Sequence, residues 1–424
     1  MSANANPPFA KLLRWLPRRS RWLDLALLLL LVMAATAGWY GPQILYKQQL
    51  GHAAELLGQL RFDEASKTIE NLRRHRPTDP QPLLLLLSLQ RQTDQLDDAR
   101  ATLAQLRALN VPAQRLFDEE NLLFARTADP NTSEARLSPL LTSDDFLPGD
   151  VCDAFATWLR GFSRLDAAQI LIRTWKSDLP NDYRAWAQQG IVHAMLVQPA
   201  EAVNELRRAI DLGDPRASTQ AHLGRSLLDL DQLDKALEAF SLACERDPRS
   251  AENWMWKAKT LRLNGKIPEC IQALQECIKL DPADFDASLM LALAERDHGQ
   301  VENARARLSQ FLTLWPDDQA ALAAWIRILH ADNNTSELQQ AEARWKLASE
   351  NVQRMESLLA QLQQEPTNNS IRCEAGCLAM KHQNRRAGEQ LLFAVLRVEP
   401  GNQTARAALD DYQQKRNRIL PKQP

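Results

Sequence analysis

The sequence predicts an all-α solenoid of stacked helix pairs, preceded by one membrane-spanning helix. Three observations predict it: prolines and small residues recurring every 34 positions, a helix-forming composition poor in glycine, and a long uncharged stretch beside a basic N-terminus.

The chain has 424 residues, room for two or three ordinary domains or for one long repeat array. Leu, Ala, Gln, Arg and Glu dominate and there are only 14 glycines, which favours helices and argues against a turn-rich β-sandwich. With 51 basic and 53 acidic residues the net charge is -2, whereas a nucleic-acid binder usually shows a basic surplus.

Pro248, Pro282 and Pro316 are spaced by 34, and Pro366 and Pro400 repeat that interval. In residues 217–250 taken as one unit, Leu223, Gly224, Leu227, Ala236, Phe240, Ala243 and Pro248 fall at places 7, 8, 11, 20, 24, 27 and 32. The same types recur in units 149–182, 183–216, 251–284 and 285–318, with Ala156, Gly190, Ala258 and Ala292 at place 8 and Ala168, Ala202, Cys270 and Ala304 at place 20. Units also fit at 46–79, 80–113 and 369–402. Small residues at 8 and 20 let two helix backbones approach. Large ones at 24 and 27 fill the groove against the next pair, and proline at 32 stops the second helix. No single unit buries its apolar face, so stacking supplies the core.

This pattern resembles the tetratricopeptide repeat (TPR), in which each unit is a pair of antiparallel helices. The resemblance implies a right-handed superhelix that binds protein segments. Residues 114–148, interrupted by Pro130, Pro139 and Pro148, read as a degenerate repeat or linker between repeats 46–113 and the core array 149–334. Residues 319–332 open like a repeat until Asn333 and Asn334 break it.

In 335–368 the apolar residues Leu338, Ala341, Trp345, Ala348, Val352, Met355, Leu359 and Leu362 alternate at spacings of 3 and 4. That heptad seam fits one long helix, packed on the array or on a second copy as a coiled coil; two helices broken near Ser349–Asn351 fit as well. A repeat at 369–402 follows, and then a polar capping helix and tail, 403–424.

The N-terminus reads as a membrane signal. Residues 1–21 carry Lys11, Arg14, Arg18, Arg19 and Arg21 and no acid, and no charge occurs from Leu25 to Tyr46. A transmembrane helix is expected over 22–45, with Trp22, Trp39 and Tyr40 at the interfaces. The positive-inside rule then leaves 1–21 cytoplasmic and the bulk of the chain periplasmic, in a single-pass protein of the cell membrane. A cleaved signal peptide ending near Ala37, at Ala35-Thr36-Ala37, is the alternative and would release a secreted soluble binder.

No nucleotide loop, HExxH, GxSxG, metal-ligand spacing or acid pair occurs, so neither a catalytic function nor a cofactor is expected. The six cysteines form no CxxC pair and read as small core residues. The TPR resemblance places positions 2, 5, 9, 12 and 13 of each unit on the concave face. Those places hold Arg184, Arg225, Asp229, Met255, Lys259, Arg262, Leu289 and Arg296, with Trp256 beside them. The peptide groove expected from Arg184, Arg225, Trp256, Lys259, Arg262 and Arg296 suits an extended acidic segment or a C-terminal carboxylate. The inward places hold no asparagine, which departs from the carboxylate clamp of chaperone-binding TPRs. Resemblance to single-span bacterial envelope TPR proteins implies a scaffold that recruits protein partners to an envelope assembly; a regulatory subunit of an envelope enzyme complex is a further alternative.

Overall fold

A computed structural model describes residues 33, 42–125, 135–143, 145–331 and 335–419, and these divide between two compact units, Met1–Ala185 and Trp186–Pro424. The expected cytoplasmic segment 1–21 and most of the expected span 22–45 lie outside the described residues, as does the break at Asn333 and Asn334. Among the described residues no helix is long and apolar enough to cross a membrane, and there is no strand.

The first unit contains α1 (42–58), α2 (Phe62–His75), α3 (Gln81–Gln92), α4 (Leu96–Arg107), α5 (Ala113–Leu123), a 3-10 turn (Ser138–Thr142), α6 (Pro148–Gly161) and α7 (Leu165–Asp178). The unit boundary falls within α8 (Tyr183–Met195). The second unit continues with α9 (Pro199–Asp211), α10 (Ala217–Asp229), α11 (Leu233–Arg246), α12 (Ala251–Leu263) and α13 (Ile267–Leu280). Then come α14 (Phe285–Asp297), α15 (Val301–Leu314), α16 (Gln319–Ala331), α17 (Thr335–Gln364), α18 (Asn369–His382), α19 (Arg385–Val398) and α20 (Gln403–Ile419).

The backbone marks the 34-residue period independently of side-chain type. Place 15 of seven units, at Leu60, Asp94, Ser163, Val197, Asp231, Gly265 and Gly299, lies in the left-handed region with φ between 57° and 81°. The next N–H then reaches back five residues to close the helix, as from Gln232 to Leu227 and from Lys266 to Leu261, both at 2.9 Å. Only two of these seven positions are glycine, the residue that takes this conformation without strain. Val197 is β-branched and 85% exposed, so little packing compensates its strain. Val197→Gly is therefore expected to stabilise the second unit by about 1 kcal/mol, the left-handed cost less the glycine entropy term. Chemical unfolding reads it directly; a lower midpoint would contradict a left-handed turn there.

From Ser250 onward, the polar residue just before each repeat's first helix caps it. Ser250, Asp284, Asp318, Asn368 and Asn402 accept a backbone N–H from three residues on, at 2.7–3.3 Å. At the other end, α7, α11, α13, α15, α17 and α19 each stop two residues before a proline, because the residue preceding proline is driven out of the α region. The caps are 34 apart except between Asp318 and Asn368, where the interval is 50. A single 30-residue helix, α17, absorbs the difference. Its residues Ala341, Ala348, Val352 and Met355 are buried against its neighbours α16 and α18, while Trp345 on the same seam is 39% exposed.

Beyond α17 the chain does not simply continue the stack. Leu392 and Tyr412, from α19 and α20, are buried in one core with Phe285, Leu289, Phe311 and Trp315. The C-terminal helices thus return onto α14–α16.

Candidate functional site

Three of the expected groove residues come together in the second unit. Arg225 on α10 sits 4.9 Å from the ring centre of Trp256 on α12, and the Lys259 ammonium lies 4.5 Å from the same ring. Phe240 on α11, fully buried, stacks parallel to Trp256 at 6.1 Å and an interplanar angle of 9°. The register dictates this. Place 24 must be large to fill the space against Gly224 at place 8, where an added Cβ would approach the Phe240 ring to 2.8 Å. Phe240 in turn sets the plane of the indole, whose Nε1 donates to Glu252 at 3.5 Å. Two cations then share an aromatic surface that attracts them through its quadrupole.

Arg225 and Arg262 are exposed, Arg262 lying one turn beyond Lys259 on α12, and Lys259 is half-buried. Burial pushes the Lys259 ammonium below its usual range; Asp286 opposes that shift and Arg386 of α19 adds to it. An incoming carboxylate offers these cations a further counter-charge with hydrogen-bond acceptors. Arg296 is held by its neighbour Asp297 at 2.6 Å. Met255 and Leu289, at inward places, are buried rather than open to a ligand.

Arg184 does not belong to the groove. It is 4% exposed and lies in an ionic network of the first unit, where it donates to Asp150 at 2.6 Å and to Asp182 at 2.8 Å. Asp150 also accepts from Arg91 at 3.0 Å and Ser88 at 2.6 Å, while Arg91 and Arg115 both pair with Glu119. Three buried or half-buried cations thus face three buried anions, which is how charges survive removal from water. Burial alone would raise the Asp150 carboxyl, but Arg184 and Arg91 beside it hold it below the usual range.

Arg386 escaped the sequence reading because it sits at place 18 of its unit, outside the inward positions. Its only signal was the Arg385-Arg386 doublet ahead of Gly388. Among the described residues no group of three or more His, Cys, Asp or Glu side chains is placed to hold a metal ion. Burial raises the pKa of all six cysteines: Cys152, Cys244 and Cys270 each to about 11, Cys277 to about 12, Cys377 to about 11, and Cys373 above its ordinary value.

Comparison with known proteins agrees with this geometry. The tetratricopeptide-repeat family model matches residues 222–285 and 264–319. A peroxisomal targeting signal receptor of Komagataella phaffii is 31% identical over 87 residues, 20% of this chain and 15% of the receptor. Cellulose synthase 1 operon protein C of Komagataeibacter xylinus is 24% identical over 285 residues, 58% of this chain and 21% of that protein. The chain therefore spans about a fifth or less of the length of these curated relatives. Among solved structures, the TPR protein YrrB, described as having an unusual peptide-binding site, is 20% identical with a TM-score of 0.39, covering 44% of this chain and 96% of that one. TPR arrays of this kind are interaction scaffolds that bind peptides or proteins. The repeat register, the turn geometry at place 15 and the family match agree on one point: residues 222–319 are built of tetratricopeptide repeats.

Proposed function

We propose that the chain is a non-catalytic scaffold that captures an extended acidic segment of a partner protein along α10 and α12. The observation that carries this reading is the cluster of Arg225, Lys259 and Trp256, with exposed Arg262 continuing it. A bound carboxylate relieves repulsion among these cations and gains charge-assisted hydrogen bonds. Similarity to a protein named as a targeting signal receptor supports a role in binding a peptide segment. Lys259→Glu together with Arg262→Glu is expected to abolish partner capture while helical content stays unchanged. Undiminished capture by the folded double variant would place the ligand elsewhere.

The uncharged stretch after a basic N-terminus supports an anchor in the cytoplasmic membrane, with the array on the extracytoplasmic side of an envelope assembly. Similarity to a protein named for a cellulose synthase operon accords with that setting. A reporter active only outside the cytoplasm is expected to work when fused after Thr78 and to be silent after Ala10; the reverse pattern would sink the topology. The intact mass separates this reading from cleavage at Ala37.

A further inference from the structure

The first helices of the repeats line the groove, yet the one at α14 is already covered, by α19 and α20. The two covering helices are held very differently. Arg385 of α19 is fully buried, donates to Asp286 at 3.0 Å and pairs with Asp318. Its guanidinium also lies 4.9 Å from the Phe311 ring and 4.7 Å from Trp315. Behind it, Gly388 brings α19 against α18 so closely that an added Cβ would stand 2.7 Å from the Gly376 carbonyl oxygen.

By contrast, α20 buries only Ala405 and Tyr412 of its 17 residues. Tyr412 packs 5.9 Å from Phe285 and 6.1 Å from Trp315. Lys415 lies 3.9 Å over Trp315, and Arg416 pairs with Asp281 at 3.0 Å across a half-exposed bridge. These three side chains occupy one helix face, at positions i, i+3 and i+4. They meet an aromatic and acidic seat whose chemistry is opposite in charge to the cationic cluster around Trp256.

We propose that α20 is a displaceable internal ligand, and that its seat on Phe285, Trp315 and Asp281 receives a partner helix carrying an aromatic side chain followed three and four positions later by basic ones. The tether to α19 gives α20 a high effective concentration, so the seat stays closed until such a helix competes. This reading is independent of the acidic ligand argued above, because it uses different residues and the reverse charge.

The probe is a labelled synthetic peptide with the sequence of residues 403–419, added to the full chain. In the Tyr412→Ala, Lys415→Glu, Arg416→Glu variant the internal copy is unlatched, and the peptide is expected to bind about tenfold or more tighter than to the unaltered chain. The same peptide with alanine for its tyrosine is expected to lose that gain. Equal affinity for both chains, or no binding to the unlatched one, would overturn the proposal. Amide hydrogen exchange on the unaltered protein tests it without substitutions, since α20 should open at lower cost than α19. Joint exchange of the two helices would refute a separately displaceable α20. So would a dimer of the unaltered chain exchanging α20 between copies, since the occupant would then be a second copy.

Discussion

Replacing Phe240 with alanine is expected to cost the second unit about 3–5 kcal/mol, the range for a fully buried aromatic whose cavity cannot collapse. The ring is wholly buried between Gly224 and Trp256, and α10 already approaches α11 closely through that glycine. The loss should appear as a lower midpoint in denaturant unfolding followed by circular dichroism. Because Phe240 also fixes the indole plane, the variant should weaken ligand capture even under conditions where it remains folded. Ala236→Leu, which adds volume at the same contact, is expected to cost about 1–3 kcal/mol by overpacking. If neither change moves the transition, the assignment of places 20 and 24 to the helix contact fails.

Asp150→Asn should destabilise the first unit by about 3–5 kcal/mol, because it keeps the shape but leaves Arg91 and Arg184 buried beside an uncharged group. The pH dependence has a definite sign. The Asp150 carboxyl sits below its unfolded value in the folded chain, so its stabilisation is complete above about pH 4 and drains away as pH falls through the folded value. The unaltered protein should therefore lose stability below about pH 4 more steeply than the asparagine variant. Parallel acid-unfolding curves for the two proteins would show that the carboxylate is not held by its arginines.

Much of the array was legible because its determinants are local. A small residue at place 8 and a proline at 32 act within one unit, so spacing alone predicts where helices approach and stop. The grouping of Arg225, Trp256 and Lys259 follows from the same register. Arg184 illustrates the limit. Its place in the unit points inward, but its burial depends on Asp150, 34 residues earlier. The covering of Asp286 and Leu289 was equally hidden, since Arg385 reaches Asp286 across 99 residues and Arg416 reaches Asp281 across 135. A period constrains neighbours in the stack; it carries no information about a chain end that turns back.

The 30-residue helix α17 sets a rotational phase for everything after it. Its two halves are gripped separately: Gln319 donates to Ser349 at 3.1 Å, and Arg354 pairs with Glu374 at 2.5 Å. With no flexible joint between those grips, one inserted residue would rotate α18–α20 by about 100° and advance them by about 1.5 Å, carrying Arg385 away from Asp318. Seven inserted residues would nearly restore the angle but shift the same helices by about 10 Å along the rod. Neither a small nor a phase-matched insertion preserves the buried arginine. The length of α17 is thus pinned by an ion pair between residues on either side of it, Asp318 and Arg385, whereas the exposed turns of the array are where added residues would be absorbed.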